Sequence, residues 1–293
     1  MKLVTYNIQY GVGKDWKPDL ARIVQAVDGA DVIALQEVVR HMPMTDSGDQ
    51  PAELAALLPN YYWVYGAAVD LDRSEVDKDG TIVNRRMQIG NMLLARRPIL
   101  SSRMFMLPKL LAIDGQTSQR VALEGIIETA SGPLRLFSVH LSALSNRERK
   151  LQVAELLRLY REGPMAGAVC DGANNWAERN GLTNPEVPEA TVIMGDFNFE
   201  PGHPEYPLMT GEVDPVFGRI ATRDVFVDAW VRAGHAEDEG VTCPTCPENN
   251  TMHDMRLDYI YVSAGLAGRV KDARIDSEAQ GSDHQPVWAE LEF

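Results

Sequence analysis

Apolar residues recur along this chain at two periods, and the change of period marks out its elements. Lys2 to Asn7 reads as a first strand, with Leu3, Thr5 and Asn7 on one face at period two. Leu20, Ile23, Val24 and Val27 then take helical spacing, and Gly29 supplies the stop. Asp31 to Gln36 is a short apolar run of the kind buried on both faces. Further strands are expected at Tyr61–Gly66, Ile89–Arg96, Val121–Glu128, Leu134–Leu141, residues 191–194, Leu257–Val262 and Val287–Leu291. Ser145 to Glu148 is a capping-box pattern, opening a helix whose apolar face (Leu151, Ala154, Leu157) carries it to about Tyr160. Strands outnumber helices, and sequence neighbours look like antiparallel pairs. The pattern predicts packed mixed sheets with helices outside, a layered α/β or α+β sandwich.

Two stretches break the regularity. Asp70–Arg86 is charged and polar, and Gly163–Glu189 holds Gly, Asn and Pro with little periodicity. Both read as long surface loops, the second with room for a helical turn. Such loops in a compact domain are more often functional rims or mobile segments than linkers. No repeat or low-complexity tract is visible, and one domain over residues 1–293 is the expectation.

Composition adds limits. With 45% hydrophobic and 24% charged residues the chain can bury a sizeable core. Met1-Lys2 runs straight into Leu3-Val4-Thr5-Tyr6, too short and polar for a signal peptide. No apolar stretch is long enough to cross a bilayer. Three cysteines give no disulfide framework and suit a reducing cytosol, so a cytoplasmic location is expected. The formal net charge of −14 argues against long duplex DNA as a partner, because phosphate neutralisation needs a basic stripe. Here the basic clusters are short: Arg85-Arg86, Arg96-Arg97, and Arg147 with Arg149-Lys150.

The chemistry-bearing residues sit at strand ends. Asp196 and Asn198 follow the 191–194 strand, and in extended chain both would enter one site; Gly195 to Asn198 followed by Pro201-Gly202 is also good turn chemistry. Arg256 and Asp258 would share one strand face, with Tyr259 and Tyr261 on the other; a salt bridge between the first two is the plain reading. Asp283 and His284 are adjacent and diverge, so Asp283 can reach a cation while His284 points at substrate. An acid on the far ring nitrogen fixes such a histidine's tautomer, and Asp258 is the candidate. His140 ends an apolar strand, while Asn7, Glu37 and Arg120 are ordinary when taken singly. Acids that converge repel and lose solvation, which a divalent cation offsets.

Together these positions resemble the endonuclease/exonuclease/phosphatase superfamily. The matching segments are Thr5-Tyr6-Asn7-Ile8, Gln36-Glu37, Ser138-Val139-His140-Leu141, Gly195-Asp196-Phe197-Asn198, Arg256-Leu257-Asp258-Tyr259-Ile260 and Ser282-Asp283-His284, in the family's order. Gln88-Ile89-Gly90-Asn91 and Arg149-x-x-Gln152 are similar with less specificity. The resemblance implies an α/β (α+β) four-layer sandwich, two packed mixed β-sheets flanked by helices. It implies Mg²⁺ or Mn²⁺ held mainly by Glu37, with Asn7 and Asp283 close by. Asp196 would orient or deprotonate the attacking water, and Asn198 would hold that water or a phosphate oxygen. His284, fixed by Asp258, and His140 would stabilise charge on the phosphoryl oxygens.

Val139-His140-Leu141 resembles the sphingomyelinase, deadenylase and phosphatase branches, whereas the abasic-site repair branch has a tyrosine-type strand there. The hydrophobic hairpin of a secreted sphingomyelinase is not evident. The expected activity is Mg/Mn-dependent hydrolysis of a small or lipid-derived phosphoester by in-line water attack. A nuclease for single-stranded or structured DNA or RNA is the alternative, and a binding module without chemistry is a third reading. Cys243-Pro244-Thr245-Cys246 reads as a loop near the rim, with half a zinc site or a redox pair as alternatives. Of Trp63, Trp176 and Trp230, at least two are expected in the core.

Overall fold

The computed structural model describes residues 1–173, 175–249 and 251–293, and of Glu248 the backbone alone. One six-stranded sheet combines β1 (Lys2–Asn7), β2 (Val32–Arg40), β3 (Tyr62–Asp72), β6 (Arg86–Ala95), β15 (Val270–Ile275) and β16 (Val287–Leu291), in the order β15-β16-β1-β2-β6-β3. The other combines β7 (Ile99–Met106), β8 (Val121–Thr129), β9 (Gly132–His140), β10 (Thr191–Asp196), β13 (Phe226–Asp228) and β14 (Asp258–Ser263), in the order β13-β14-β10-β9-β8-β7. Two short ribbons pair β4 (Glu75–Val76) with β5 (Ile82–Val83), and β11 (Val213–Asp214) with β12 (Gly218–Arg219). In each large sheet the central pair is parallel, β1 with β2 and β10 with β9, and the flanking pairs are antiparallel.

Strand alternation sorts the apolar residues into three layers of contact. Leu3, Val32, Ala34 and Leu93 of the first sheet meet Leu134, Leu136, Val192, Met194 and Ile260 of the second. The first sheet's outer face, with Val4, Tyr6, Ile33 and Leu35, packs on Ile23 of α1 (Leu20–Ala26) and Leu54 of α2 (Gln50–Leu57). The second sheet's outer face, with Phe137, Val139, Ile193 and Tyr261, packs on Val153 and Leu156 of α3 (Asn146–Ala166) and on Tyr206 of α5 (Glu205–Thr210). Short α4 (Trp176–Arg179) and α6 (Ala229–Arg232) complete the helices. The result is two mixed sheets face to face with helices outside, held by sequestered apolar surface on every internal face.

Several details differ from the pattern reading. The second half of α3 continues past Tyr160 to Ala166, and its buried face is Gln152, Val153, Leu156 and Leu159 rather than Leu151 and Ala154. Gly163 makes the extension fit, since a Cβ there would strike the buried Arg135 guanidinium. Residues 70–86 are not an open loop: β3 and β6 pair out to Asp72 and Arg86, and the β4–β5 ribbon caps them. That ribbon exposes Val76, with charged neighbours on either side, and Ile82. Asn174, inside the expected 163–189 loop, lies outside the described residues. Arg256 does not pair with Asp258. It precedes β14, so strand alternation does not govern it; its guanidinium bonds Asp228 (2.8 Å) and lies over the Tyr259 ring. Trp63 and Trp176 are exposed, and Trp230 stacks on His235, so the tryptophan in the core is Trp288. Among the described residues no helix is long and apolar enough to cross a membrane.

Candidate active site

Position follows from the ladder. Leu3 and Thr5 face between the sheets, so Asn7, ending β1, faces there too. On β9, β10 and β14 the inward set is Leu134, Leu136 and Ser138, then Val192 and Met194, then Ile260. Extending each alternation places His140, Asp196 and Asp258 at the same end of the inter-sheet space. Asp196 is in register with His140 on one side and Asp258 on the other. Gly195 allows that approach, because a Cβ would overlap the Val139 carbonyl.

Glu37 arrives differently. The β2–β6 register shifts between Leu35 and Val38, and Glu37 adopts a left-handed φ of 58°. Such a bulge re-aims one side chain: Gln36 stays inward and bonds Ser138 (3.1 Å), Val38 returns to the outer core, and Glu37 turns to the site. Tyr10, beside Glu37, is also left-handed at φ 58°. The buried Gln50 amide secures both segments, donating to Tyr10 O and accepting from Val39 N (3.1 Å). A left-handed non-glycine costs about 1–3 kcal/mol and persists where its surroundings over-determine it.

Asp196 is the hub. Its Oδ2 accepts from Asn7 Nδ2 (3.0 Å) and stands 3.4 Å from His140 Nε2 and 3.8 Å from His284 Nε2. Its Oδ1 accepts from Asn198 N (2.9 Å). Burial and the charge of Asp258 push its pKa up to about 6. Asn198 does not continue the strand: at φ 53° it closes a turn on Asp196, and its amide donates to Leu141 O (3.1 Å). The turn is therefore the way Asn198 stays beside Asp196, and the extended-chain expectation fails.

The two histidines are held in opposite states. Arg120 Nη1 faces His140 Nδ1 at 3.1 Å, so that nitrogen accepts and the ring proton sits on Nε2, toward Asp196. Burial, Arg120 and His284 all lower the His140 pKa, keeping it neutral. At His284 burial opposes the charge, but Asp258, at 2.7 Å from Nδ1, together with Asp196 and Asp283 outweighs it. His284 is thereby a cation at neutral pH.

The remaining carboxylates suit a cation. Burial first, then Asp283, raise the Glu37 pKa to about 7, with Asp196 adding to the rise and Arg120 and His284 opposing it. Crowded acids with oxygen donors fit Mg²⁺ or Mn²⁺, which take one or two carboxylates and keep several waters. Asp283 Oδ1 lies 3.2 Å from Ser282 Oγ, and Asn249 Nδ2 donates to its Oδ2. Asp196, Asp258 and His284 also come within coordinating reach of one another. In that trio Asp258 is already engaged with His284 Nδ1, at 2.7 Å.

Of the eight residues expected from the sequence, Asn7, Asn198, His140 and His284 stand against Asp196, Asp258 bonds His284, Glu37 lies 4.0 Å from His140, and Asp283 acts on Glu37 through its charge. The sequence reading passed over Tyr10, Gln50 and Asn249 and gave Arg120 no role of its own; the structure sets all four against the site residues. Only Gly11, a positive-φ glycine just after Tyr10, hinted at the special loop. The expected weakly family-like segments turn out to be braces: Asn91 donates to Ser138 O and Val121 O across the sheets, and Gln152 Oε1 accepts from Ser142 N. Among the described residues no metal-ligating cluster includes a cysteine, and burial raises the Cys243 pKa to about 11.

The sequence profile of the Endonuclease/Exonuclease/phosphatase family matches residues 4–284. The chain belongs to that family, whose members are hydrolases acting on phosphate esters. The fold is shared with an endonuclease/exonuclease/phosphatase from Beutenbergia cavernae (21% identity, all of this chain and 71% of that one, TM-score 0.65). It is also shared with a mannosyl-6-phosphatase of Bacteroides thetaiotaomicron (19%, all of both chains, TM-score 0.62). A third similar structure is D. rerio TDP2 complexed with single strand DNA product (17%, all of this chain and 99% of that one, TM-score 0.61). No curated protein matches significantly.

Proposed function

We propose that this chain is a divalent-metal-dependent hydrolase of a small phosphate ester, acting by in-line attack of water. The observation that carries the reading is Asp196: one buried carboxylate that gathers Asn7, Asn198 and two imidazoles of opposite charge state. A cation held by Glu37 and Asp283 would draw charge from the phosphate oxygens and help align the ester.

The chain's own groups supply the rest. With its pKa raised toward neutrality, Asp196 can orient a water and take its proton. Cationic His284, locked by Asp258, donates from Nε2 to oxygens that gain charge in the transition state. Neutral His140 offers its Nε2 proton to the same region, and its tautomer is set by Arg120. Asn7 holds Asp196 in place, and Asn198, through its backbone N–H, fixes the other carboxylate oxygen.

The test is hydrolysis of bis-(4-nitrophenyl) phosphate and of 4-nitrophenyl phosphate with Mg²⁺ or Mn²⁺. Turnover abolished by chelation and by Asp196→Ala supports the reading; full turnover in either condition contradicts it. The nuclease reading is favoured by the shared fold with D. rerio TDP2 and opposed by the charge of −14. It requires oligonucleotide cleavage with steep salt dependence, which the small-ester reading does not.

A further inference from the structure

Thr242, which touches none of the reacting groups, bonds the main chain on both sides of the Asp258–His284 pair. It is fully buried. Its Oγ1 accepts from Leu257 N (2.9 Å) and from Asp258 N (3.1 Å). Its carbonyl accepts from the N–H of Gln285, the residue after His284 (2.6 Å). The two lone pairs of one hydroxyl suffice for both amides, and the branched Cβ stiffens χ1 and so fixes where that oxygen stands.

Successive amides of an extended strand point to opposite sides. Two that converge on one oxygen therefore mark a bend, which falls just before β14 starts at Asp258. The bend sets the direction in which the Asp258 side chain leaves the backbone. Little else holds that carboxylate. Its Oδ2 meets His284 Nδ1 at 2.7 Å, while its Oδ1 is buried with no hydrogen-bond partner among the described residues. The contact is closed into a ring of bonds: Thr242 Oγ1 to the Asp258 backbone, Asp258 to His284, and Gln285 N–H back to Thr242 O.

We propose that Thr242 is a positioning residue for the reaction, its hydroxyl and carbonyl oxygens together setting the separation of Asp258 and His284. This deepens the phosphoesterase reading and rests on it for its kinetic consequence. The imidazole pivots on Nδ1, so a shift of Asp258 swings Nε2 away from its place 3.8 Å from Asp196. A misplacement of about 1 Å at such a group can cost about 10²-fold in rate. Metal binding is spared by the same geometry. Thr242 and Cys243 close the base of the loop that carries Asn249 to Asp283 through main-chain bonds to Met255 O (2.8 and 2.9 Å), which do not use the hydroxyl.

The experiment compares Thr242→Val, which keeps the branched shape and removes the acceptor, with Thr242→Ser, which keeps the acceptor. In hydrolysis of the two nitrophenyl esters at saturating Mg²⁺, Thr242→Val should lower kcat about 10–100-fold, with KM and the Mg²⁺ requirement little changed. Thr242→Ser should retain most of kcat. In an Asp258→Asn background Thr242→Val should cost little further, because both act through one contact. Amide hydrogen exchange reads the clasp without turnover. Leu257 and Gln285 lie outside the strands and helices, yet both amides should be protected in the wild type; Thr242→Val should release Leu257 and leave Gln285 protected. Wild-type kcat in Thr242→Val overturns the proposal, as does a serine variant as impaired as the valine one or full additivity with Asp258→Asn. A freely exchanging Leu257 amide in the wild type overturns it even if Thr242→Val does not fold. A wild type that hydrolyses neither ester overturns the phosphoesterase reading instead, so the two failures are distinct.

Discussion

The two large sheets repeat one ladder, a parallel pair flanked by antiparallel neighbours, but they end in different chemistry. The second sheet ends regularly: His140, Asp196 and Asp258 stand side by side in register, spaced by the strands themselves. Adjacent strands lie about 4.8 Å apart, which is the reach needed for proton-handling groups to share a carboxylate. The first sheet ends irregularly, with Tyr10 and Glu37 in left-handed backbone and a bulge in β2. Its carboxylate is aimed by a distortion and kept there by Gln50. On the proposed reading, the carboxylate that would take a proton, Asp196, sits on the rigid ladder, while Glu37, which would hold an ion, sits on backbone bent to aim it.

Substitutions can break that division, and the largest effects are expected at Asp196 of the second sheet and at His284, which the segment before β16 brings to it. Asp196→Ala or His284→Ala should lower kcat/KM by about 10³-fold, in line with the loss of a positioned base or donor; steady-state hydrolysis in saturating Mg²⁺ measures it. Asp258→Asn should lower kcat by about 10²-fold with little change in the metal concentration needed, because it acts on His284 and leaves Glu37 and Asp283 in place. Glu37→Gln belongs to the other side: the Mg²⁺ concentration for half-maximal activity should rise about 10–100-fold.

A pH series sharpens the same contrast. The Glu37 pKa stands at about 7 in the metal-free fold against an ordinary value of 4.5, so the folded state holds the proton more tightly than the unfolded one. Stability of the metal-free chain should therefore fall as pH rises from about 4.5 to 7. Thermal melts should also show a larger Mg²⁺-induced rise above pH 7 than at pH 5, since deprotonated Glu37 is the form that binds. Glu37→Gln should flatten that dependence. The smallest effect is expected for Gln50→Leu, which frees Tyr10 O and Val39 N: about 1–3 kcal/mol of stability in denaturant melts, with weaker metal activation and an unchanged pH profile.

Sequence pattern carried most of the ladder because alternation is a local signal. Leu3, Thr5 and Asn7 share a face at period two, and that face is the inter-sheet space. Gly195-Asp196-Phe197-Asn198 and Asp283-His284 were visible as short motifs. What escaped was set by tertiary contact. Nothing local says that Arg120 meets His140, or that Asn249 reaches Asp283, across long stretches of chain. The α3 face was misread because buried Gln152 and Arg149 are polar: their partners at Ser142, Pro108 and Glu205 are invisible to a hydrophobicity pattern. Arg256 was assigned to the wrong partner because alternation was extended one turn too early, before the strand begins.

Anomalous diffraction from crystals holding Mn²⁺ and phosphate addresses the central claim most directly. The account predicts one manganese peak bonded to Glu37 and Asp283, with the phosphate between it and the Asp196–His284 pair. A peak seated among Asp196, Asp258 and His284, with Glu37 left unligated, would contradict it.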